Sequence, residues 1–124
     1  MHIIIASGSN EPIYAQINRQ IAAQILDGTL EEGAALPSIR ILAHDLHISV
    51  ITTKRAYEEL EKAGYVDTIT GKGTFVSRQN RVALRDRHRR MLEERLLPLI
   101  ADGKAAGLTL EDWLALVRRL YQEG

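Results

Sequence analysis

The spacing of apolar residues changes repeatedly along this chain, and each change marks a boundary. His2–Ala6, built around Ile3, Ile4 and Ile5, is rich in β-branched residues and is predicted as a short strand. Ser7-Gly8-Ser9-Asn10 is turn-like, and Pro12 suits a first helical position with Asn10 or Glu11 as cap. Tyr14, Ile17, Ile21 and Ile25, with Ile13 and Leu26 beside them, then recur at helical spacing until Asp27-Gly28. After the polar loop Glu31-Glu32-Gly33, a second helix opens at Leu36-Pro37-Ser38, capped by Ser38, with Ile39, Leu42, Ala43 and Leu46 facing inward. His47-Ile48-Ser49 forms a turn, and Ser49 caps a third helix. Its Thr53, Ala56, Tyr57 and Leu60 fall at i, i+3, i+4 and i+7, a buried stripe. Val50, Thr52, Lys54, Arg55 and Glu58 are left on or near the outer side, and Gly64 ends the helix. Tyr65–Ile69 and Gly73–Ser77 are strand-like around Thr70-Gly71-Lys72, where glycine permits a tight hairpin.

Beyond Ser77 the pattern becomes a long helix from Gln79 to about Ala106, with Leu84, His88, Met91, Leu92, Leu96, Leu99 and Ile100 as its larger inward candidates. Pro98 is expected to kink or break it, because the ring removes a backbone donor and crowds the preceding turn. Gly103 and Gly107 bracket its end. Thr109-Leu110-Glu111-Asp112 reads as a capping box with Asp in the place of Glu, and Leu108 and Trp113 stand where a hydrophobic staple packs. The last helix gathers Leu110, Trp113, Leu114, Val117, Leu120 and Tyr121 on one face.

Two short helices joined by a tight polar break and followed by a hairpin define a winged helix-turn-helix. The predicted class is α+β, mostly helical: a winged helix-turn-helix over 1–77, with its core at 11–77, followed by a short two-helix segment over 78–124. A tail of this size cannot bury two apolar helix faces within itself. A two-fold partner is the expected cover, with Met91, Leu92, Leu96, Trp113, Leu114, Val117, Leu120 and Tyr121 as candidate interface residues. The tail is also small for an enclosed effector cavity, although an unidentified small-molecule effector remains a candidate partner.

Composition narrows the function. The 124 residues include no cysteine, which excludes disulfides and fits a reducing compartment. No apolar run reaches the ~20 residues of a membrane span, so a cytoplasmic protein without membrane attachment is expected. No Ser–His–Asp set or isolated carboxylate pair stands out, and Gly71-Lys72-Gly73-Thr74 lacks both the spacing and the strand-to-helix setting of a phosphate loop. His2, His44, His47 and His88 are scattered without clustered carboxylates. Neither an enzyme nor a metal or cofactor is expected. The formal net charge is zero, and residues 11–76 carry six Lys or Arg against nine Asp or Glu, a net of −3. A nucleic-acid contact therefore requires the few cations to share one face. The candidates are Arg40 on helix two, Ser49, Thr52, Lys54 and Arg55 on helix three, and Thr70, Gly71 and Lys72 at the wing tip. Arg55 has an alternative partner in Glu58 or Glu59. Val50 and Ile51 are read first as packing residues and second as contacts to thymine methyls. The Arg-rich stretch from Arg78 to Arg90 is read as a mixture of solvated helix face and DNA flank, with the residues nearest the wing closest to DNA.

The segments LPSIRILA, IS-x-x-TTKRAYEELEKAGYV and GKGTFV resemble the GntR-type bacterial transcription regulators, and PIYAQI with the short helical tail is similar to the YtrA subfamily. The resemblance covers most of residues 3–78. It implies a homodimeric regulator, usually a repressor, on a palindromic double-stranded operator, with DNA contacts at Arg40, Ser49, Thr52, Lys54, Thr70, Gly71 and Lys72. Val50 and Ile51 stand where members often have Arg or another polar residue, and Lys54 where Arg is common. The competing reading of the same fold is a protein–protein interaction module that does not touch DNA.

Overall fold

The computed structural model describes residues 1–78 and 81–124. The elements run α1 (Ile13–Leu26), α2 (Ile39–Leu46), α3 (Val50–Lys62), β1 (Val66–Ile69), β2 (Gly73–Val76), α4 (Arg81–Ala105) and α5 (Leu110–Glu123). Two compact units divide the chain at Arg85/Asp86. The expected helix start at Gln79 lies outside the described residues.

In the first unit, α1 supplies Ile17, Ile21, Ala22 and Ile25, α3 supplies Ala56, Tyr57 and Leu60, and α2 supplies Leu42 to one core. Val66 and Val76 of the wing, Leu84 of α4, and Leu36 and Tyr65 from the connecting segments join it. The opening of α4 therefore belongs to the winged unit, although composition changes at Ser77. Ser38 caps α2 by accepting from the Ile41 amide at 3.1 Å, and Ser49 caps α3 by accepting from the Thr52 amide at 3.0 Å. Between them His47 takes the left-handed conformation at φ 56°, which lets the Ile48 amide reach the Ala43 carbonyl at 3.0 Å and turns the chain within three residues.

The wing is antiparallel, in the register Val66↔Val76, Asp67↔Phe75, Thr68↔Thr74 and Ile69↔Gly73. Its second strand has a further neighbour that the sequence pattern concealed. The stretch from Gly33, read as the end of a polar loop, to Leu36, read as the opening of the second helix, runs antiparallel to β2, with bonds from Gly33 N to the Val76 carbonyl (2.9 Å), Val76 N to Ala34 (2.8 Å) and Leu36 N to Thr74 (2.9 Å).

Two expectations near the amino terminus are corrected. Residues 2–6 are extended but pair with no strand. The side-chain amides of Gln24, Gln20 and Gln16, one helical turn apart on α1, bond the main chain of His2, Ile4 and Ala6 in turn. Each amide both donates and accepts, as a neighbouring strand would, and Ile3 and Ile5 pack against the core. The N-cap of α1 is Pro12 itself, with no side-chain cap, since Glu11 is turned to Arg19 instead.

In the second unit α4 continues through Pro98 to Ala105 without a break. Gly103 does not end the helix. A Cβ there would lie 2.3–2.5 Å from the Trp113 ring, so this glycine is the seat on which the indole rests. The end comes at Gly107, φ 89°, where Gly107 N bonds Lys104 at 3.0 Å and Leu108 N bonds Gly103 at 2.9 Å, a Schellman closure. The capping box of α5 is complete: Thr109 Oγ1 accepts from the Asp112 amide at 3.1 Å, and Asp112 Oδ2 from the Thr109 amide at 2.9 Å.

Candidate nucleic-acid interface

The sequence of α3 fixes which side chains leave the core. Thr53, Ala56, Tyr57 and Leu60 are buried, and the Tyr57 hydroxyl donates to the Pro37 carbonyl at 2.7 Å, tying α3 to the residues that precede α2. Burial holds the Tyr57 phenol above its ordinary range. With that stripe fixed, Ser49, Val50, Ile51, Lys54 and Arg55 are exposed and Thr52 is half-buried. Arg40 on α2 is exposed, as are Thr70, Gly71 and Lys72 at the wing tip. The tip is closed by Lys72 N bonding the Ile69 carbonyl at 2.9 Å, with Gly71 at φ 79°. A side chain on Gly71 would meet nothing, so glycine is there for its backbone and not for space.

Several of these groups already have partners. Ser49 Oγ accepts the Thr52 amide and donates to Thr52 Oγ1 at 2.8 Å, so the two hydroxyls act as one capped unit in which Thr52 retains its own hydrogen for an outside acceptor. Lys54 Nζ lies 3.8 Å from Glu58 Oε1, an exposed i,i+4 pair of little intrinsic strength. Arg55 takes neither of its anticipated carboxylates. Its guanidinium sits 3.8 Å above the Tyr14 ring of α1, and Nη2 donates to the Tyr14 hydroxyl at 3.1 Å. This contact joins residues 41 apart in sequence, so helical spacing within α3 carried no signal of it.

The acidic surplus of the module is partly engaged. Glu11 holds Arg19 through Nε and Nη2, and this hydrogen bonding lowers its pKa. Asp27 accepts from Thr29 and is lowered chiefly by that bond, with Arg81 and Arg85 adding a smaller attraction. Thr68 of the wing donates to Glu61 Oε2 at 2.5 Å, pinning one carboxylate of α3 to the hairpin. The start of the Arg-rich stretch is accounted for locally. Arg85 donates through Nε and Nη2 to the Leu26 carbonyl at 3.2 and 2.8 Å, where the negative end of α1 favours a cation. The Arg81 guanidinium lies beside Gly28 and that of Arg78 beside Gly33. These arginines clasp the end of α1 and the loop after it.

Comparison with known proteins decides the family. Residues 13–76 match the bacterial regulatory proteins of the gntR family. The chain is 37% identical over 109 residues to the HTH-type transcriptional repressor YtrA of Bacillus subtilis, covering 86% of this chain and 84% of that protein. The chain belongs to the GntR family. This GntR-family chain is a DNA-binding transcription regulator, with the winged-helix fold of its relatives. A structure described as a transcriptional antiterminator from Listeria monocytogenes superposes at a TM-score of 0.78, with 30% identity and coverage of 99% of this chain and 92% of that one. The DNA-binding domain of AraR in complex with operator ORE1 superposes at 0.52, with 26% identity, covering 62% of this chain and 94% of that one. Among the described residues of this GntR-family protein no helix is long and apolar enough to cross a membrane, and no three His, Asp or Glu side chains gather as metal ligands.

Proposed function

We propose that this chain is a repressor that acts as a homodimer on a two-fold-symmetric operator, each protomer placing α3 in the major groove of one half-site. Arg40 and Lys72 hold phosphates, the Ser49–Thr52 pair and Lys54 approach base edges or phosphate at the start of the helix, and Gly71 lets the wing backbone come close to the duplex. The repressor name of the YtrA relative and the operator complex of AraR support this reading.

The observation that carries the dimer is the exposure of the tail's apolar side chains. Leu92, Leu96, Leu114, Val117 and Leu120 are each between 43% and 52% exposed and Tyr121 is 86% exposed, whereas Trp113 rests on Gly103 within its own protomer. The proposed interface therefore consists of Leu92, Leu96, Leu114, Val117, Leu120 and Tyr121, with the half-buried Met91 at its edge and Trp113 shaping it from behind. Dimeric engagement multiplies two weak half-site contacts into one operator affinity.

The test uses duplexes selected from random DNA by the full chain. Arg40→Ala and Lys72→Ala are each expected to weaken binding and to reduce the slope of log affinity against log salt by about one unit per lost phosphate contact. A chain ending at Arg85, which keeps Leu84 in the winged core, is expected to sediment as a monomer and to bind the operator about a hundredfold more weakly. Unchanged salt slopes in both variants overturn the proposed face, and a truncated chain that remains dimeric overturns the role of the tail.

A further inference from the structure

The outward face of α3 holds a residue that neither the core nor the capping chemistry employs. Ile51 is 81% exposed, and at about 100° per residue it stands nearly opposite the stripe of Thr53, Ala56, Tyr57 and Leu60. Isoleucine is a poorer helix former than alanine and gains nothing from burial at this site. Its neighbours on the first turn narrow what it meets. Ser49 and Thr52 are bonded to each other, Lys54 leans along the helix to Glu58, and Arg55 is drawn back onto Tyr14. The side chain that stands opposite the buried stripe at the start of this helix is thus apolar, and Val50 beside it is 47% exposed and apolar as well.

In the major groove the apolar feature on the edge of the standard base pairs is the C5 methyl of thymine; the other features are hydrogen-bond donors and acceptors. We infer that Ile51 determines specificity by packing against a thymine 5-methyl in each half-site. The inference rests on the placement of α3 proposed above and adds to it a base preference that no hydrogen-bonding residue supplies. A purine at that step would set its polar N7 edge against the isoleucine with no partner, and a cytosine would present only a C5 hydrogen, so discrimination comes from the lost methyl contact against cytosine and also from a desolvation penalty against the purines.

The experiment is a deoxyuridine scan. Starting from a duplex selected by the unmodified protein, each thymine is replaced in turn by deoxyuridine, which removes the methyl and keeps every hydrogen-bonding group. One thymine per half-site is expected to lose about four- to tenfold in affinity on replacement, the effect of one buried methyl. Ile51→Ala is expected to lose a similar factor on the thymine duplex and to show no further loss on the deoxyuridine duplex. That arm separates contact from shape, because a methyl acting only through duplex stiffness would remain effective in the variant. Lys54→Ala should weaken binding and keep the methyl sensitivity. The Ile51→Ala protein is expected to melt no lower than the parent, since the site is exposed and alanine favours the helix. Methyl sensitivity that survives Ile51→Ala, or a scan in which every thymine is replaceable, overturns the inference while operator binding stands, and leaves the exposed isoleucine to a protein partner. Failure to select any duplex overturns the placement of α3 together with the inference.

Discussion

Helices α3 and α5 are built to nearly the same plan and meet opposite fates. Both are opened by a hydroxyl side chain that accepts a first-turn amide, they run for 13 and 14 residues, and both concentrate apolar residues on one side. In α3 that side is buried beneath α1, α2 and the wing. In α5 no described residue is buried, and Leu110, Leu114, Val117, Leu120 and Tyr121 are all at least half exposed. Amphipathic spacing thus states that a face will be covered and does not say by what. In the winged unit the cover comes from the same chain, and in the tail the proposal assigns it to a second copy.

The largest expected effect separates the two directly. Leu60 is fully buried, so Leu60→Ala is expected to lower stability by about 2–5 kcal/mol, read as a drop in urea midpoint that does not depend on protein concentration. Leu120→Ala, in the tail, is expected to leave the winged unit unaffected and to weaken the concentration dependence of melting instead. Equal, concentration-independent losses in both variants would erase the distinction drawn here.

A smaller effect tests whether the tail has any core of its own. Gly103→Ala drives a methyl into the Trp113 ring, so the hairpin of α4 and α5 must shift at a cost of about 1–3 kcal/mol. The chain has one tryptophan, so a red shift of its emission reports that displacement without ambiguity. Unchanged emission would show that the indole is not seated on the glycine.

The smallest concerns the strap at residues 2–6. Gln20→Ala removes a 2.9 Å and a 2.7 Å bond to Ile4, and the Ile4 amide is expected to exchange its hydrogen about five- to tenfold faster while the amides of α3 are unchanged. Accelerated exchange throughout the domain would instead make the strap part of the global core.

The parts of the molecule legible in the sequence are those in which cause and effect lie within a few residues. Ser38, Ser49 and Thr109 cap the helices they precede, and the spacing of Thr53, Ala56, Tyr57 and Leu60 declares the buried side of α3. The features that escaped connect distant segments. Nothing local shows that Arg55 will choose Tyr14 over a carboxylate on its own helix, or that Gly33–Leu36 will run beside β2. Gly103 looked like punctuation because its role depends on an indole from the next helix. The strap left a readable trace in Gln16, Gln20 and Gln24, spaced one turn apart opposite an extended run of isoleucines. Helical spacing of apolar residues says nothing of such polar positions, and a glutamine amide can imitate a strand edge. At the interface, sequence spacing identified the exposed polar groups, but packing was the first reading for Ile51, and its 81% exposure shows that it does not pack within its own protomer.

The clasp on the amino-terminal segment recognises peptide groups alone. Its amides hold the nitrogen and oxygen of His2 and Ile4, and the nitrogen and oxygen of Ala6, and the residues so held are themselves exposed. Positions 2, 4 and 6 are therefore interchangeable among residues that keep an amide hydrogen, and proline is the substitution they refuse. The burden of fidelity has moved from the clasped segment to three glutamines on the helix behind it, where shortening one side chain by a single carbon, as in Gln20→Asn, would leave the amide out of reach.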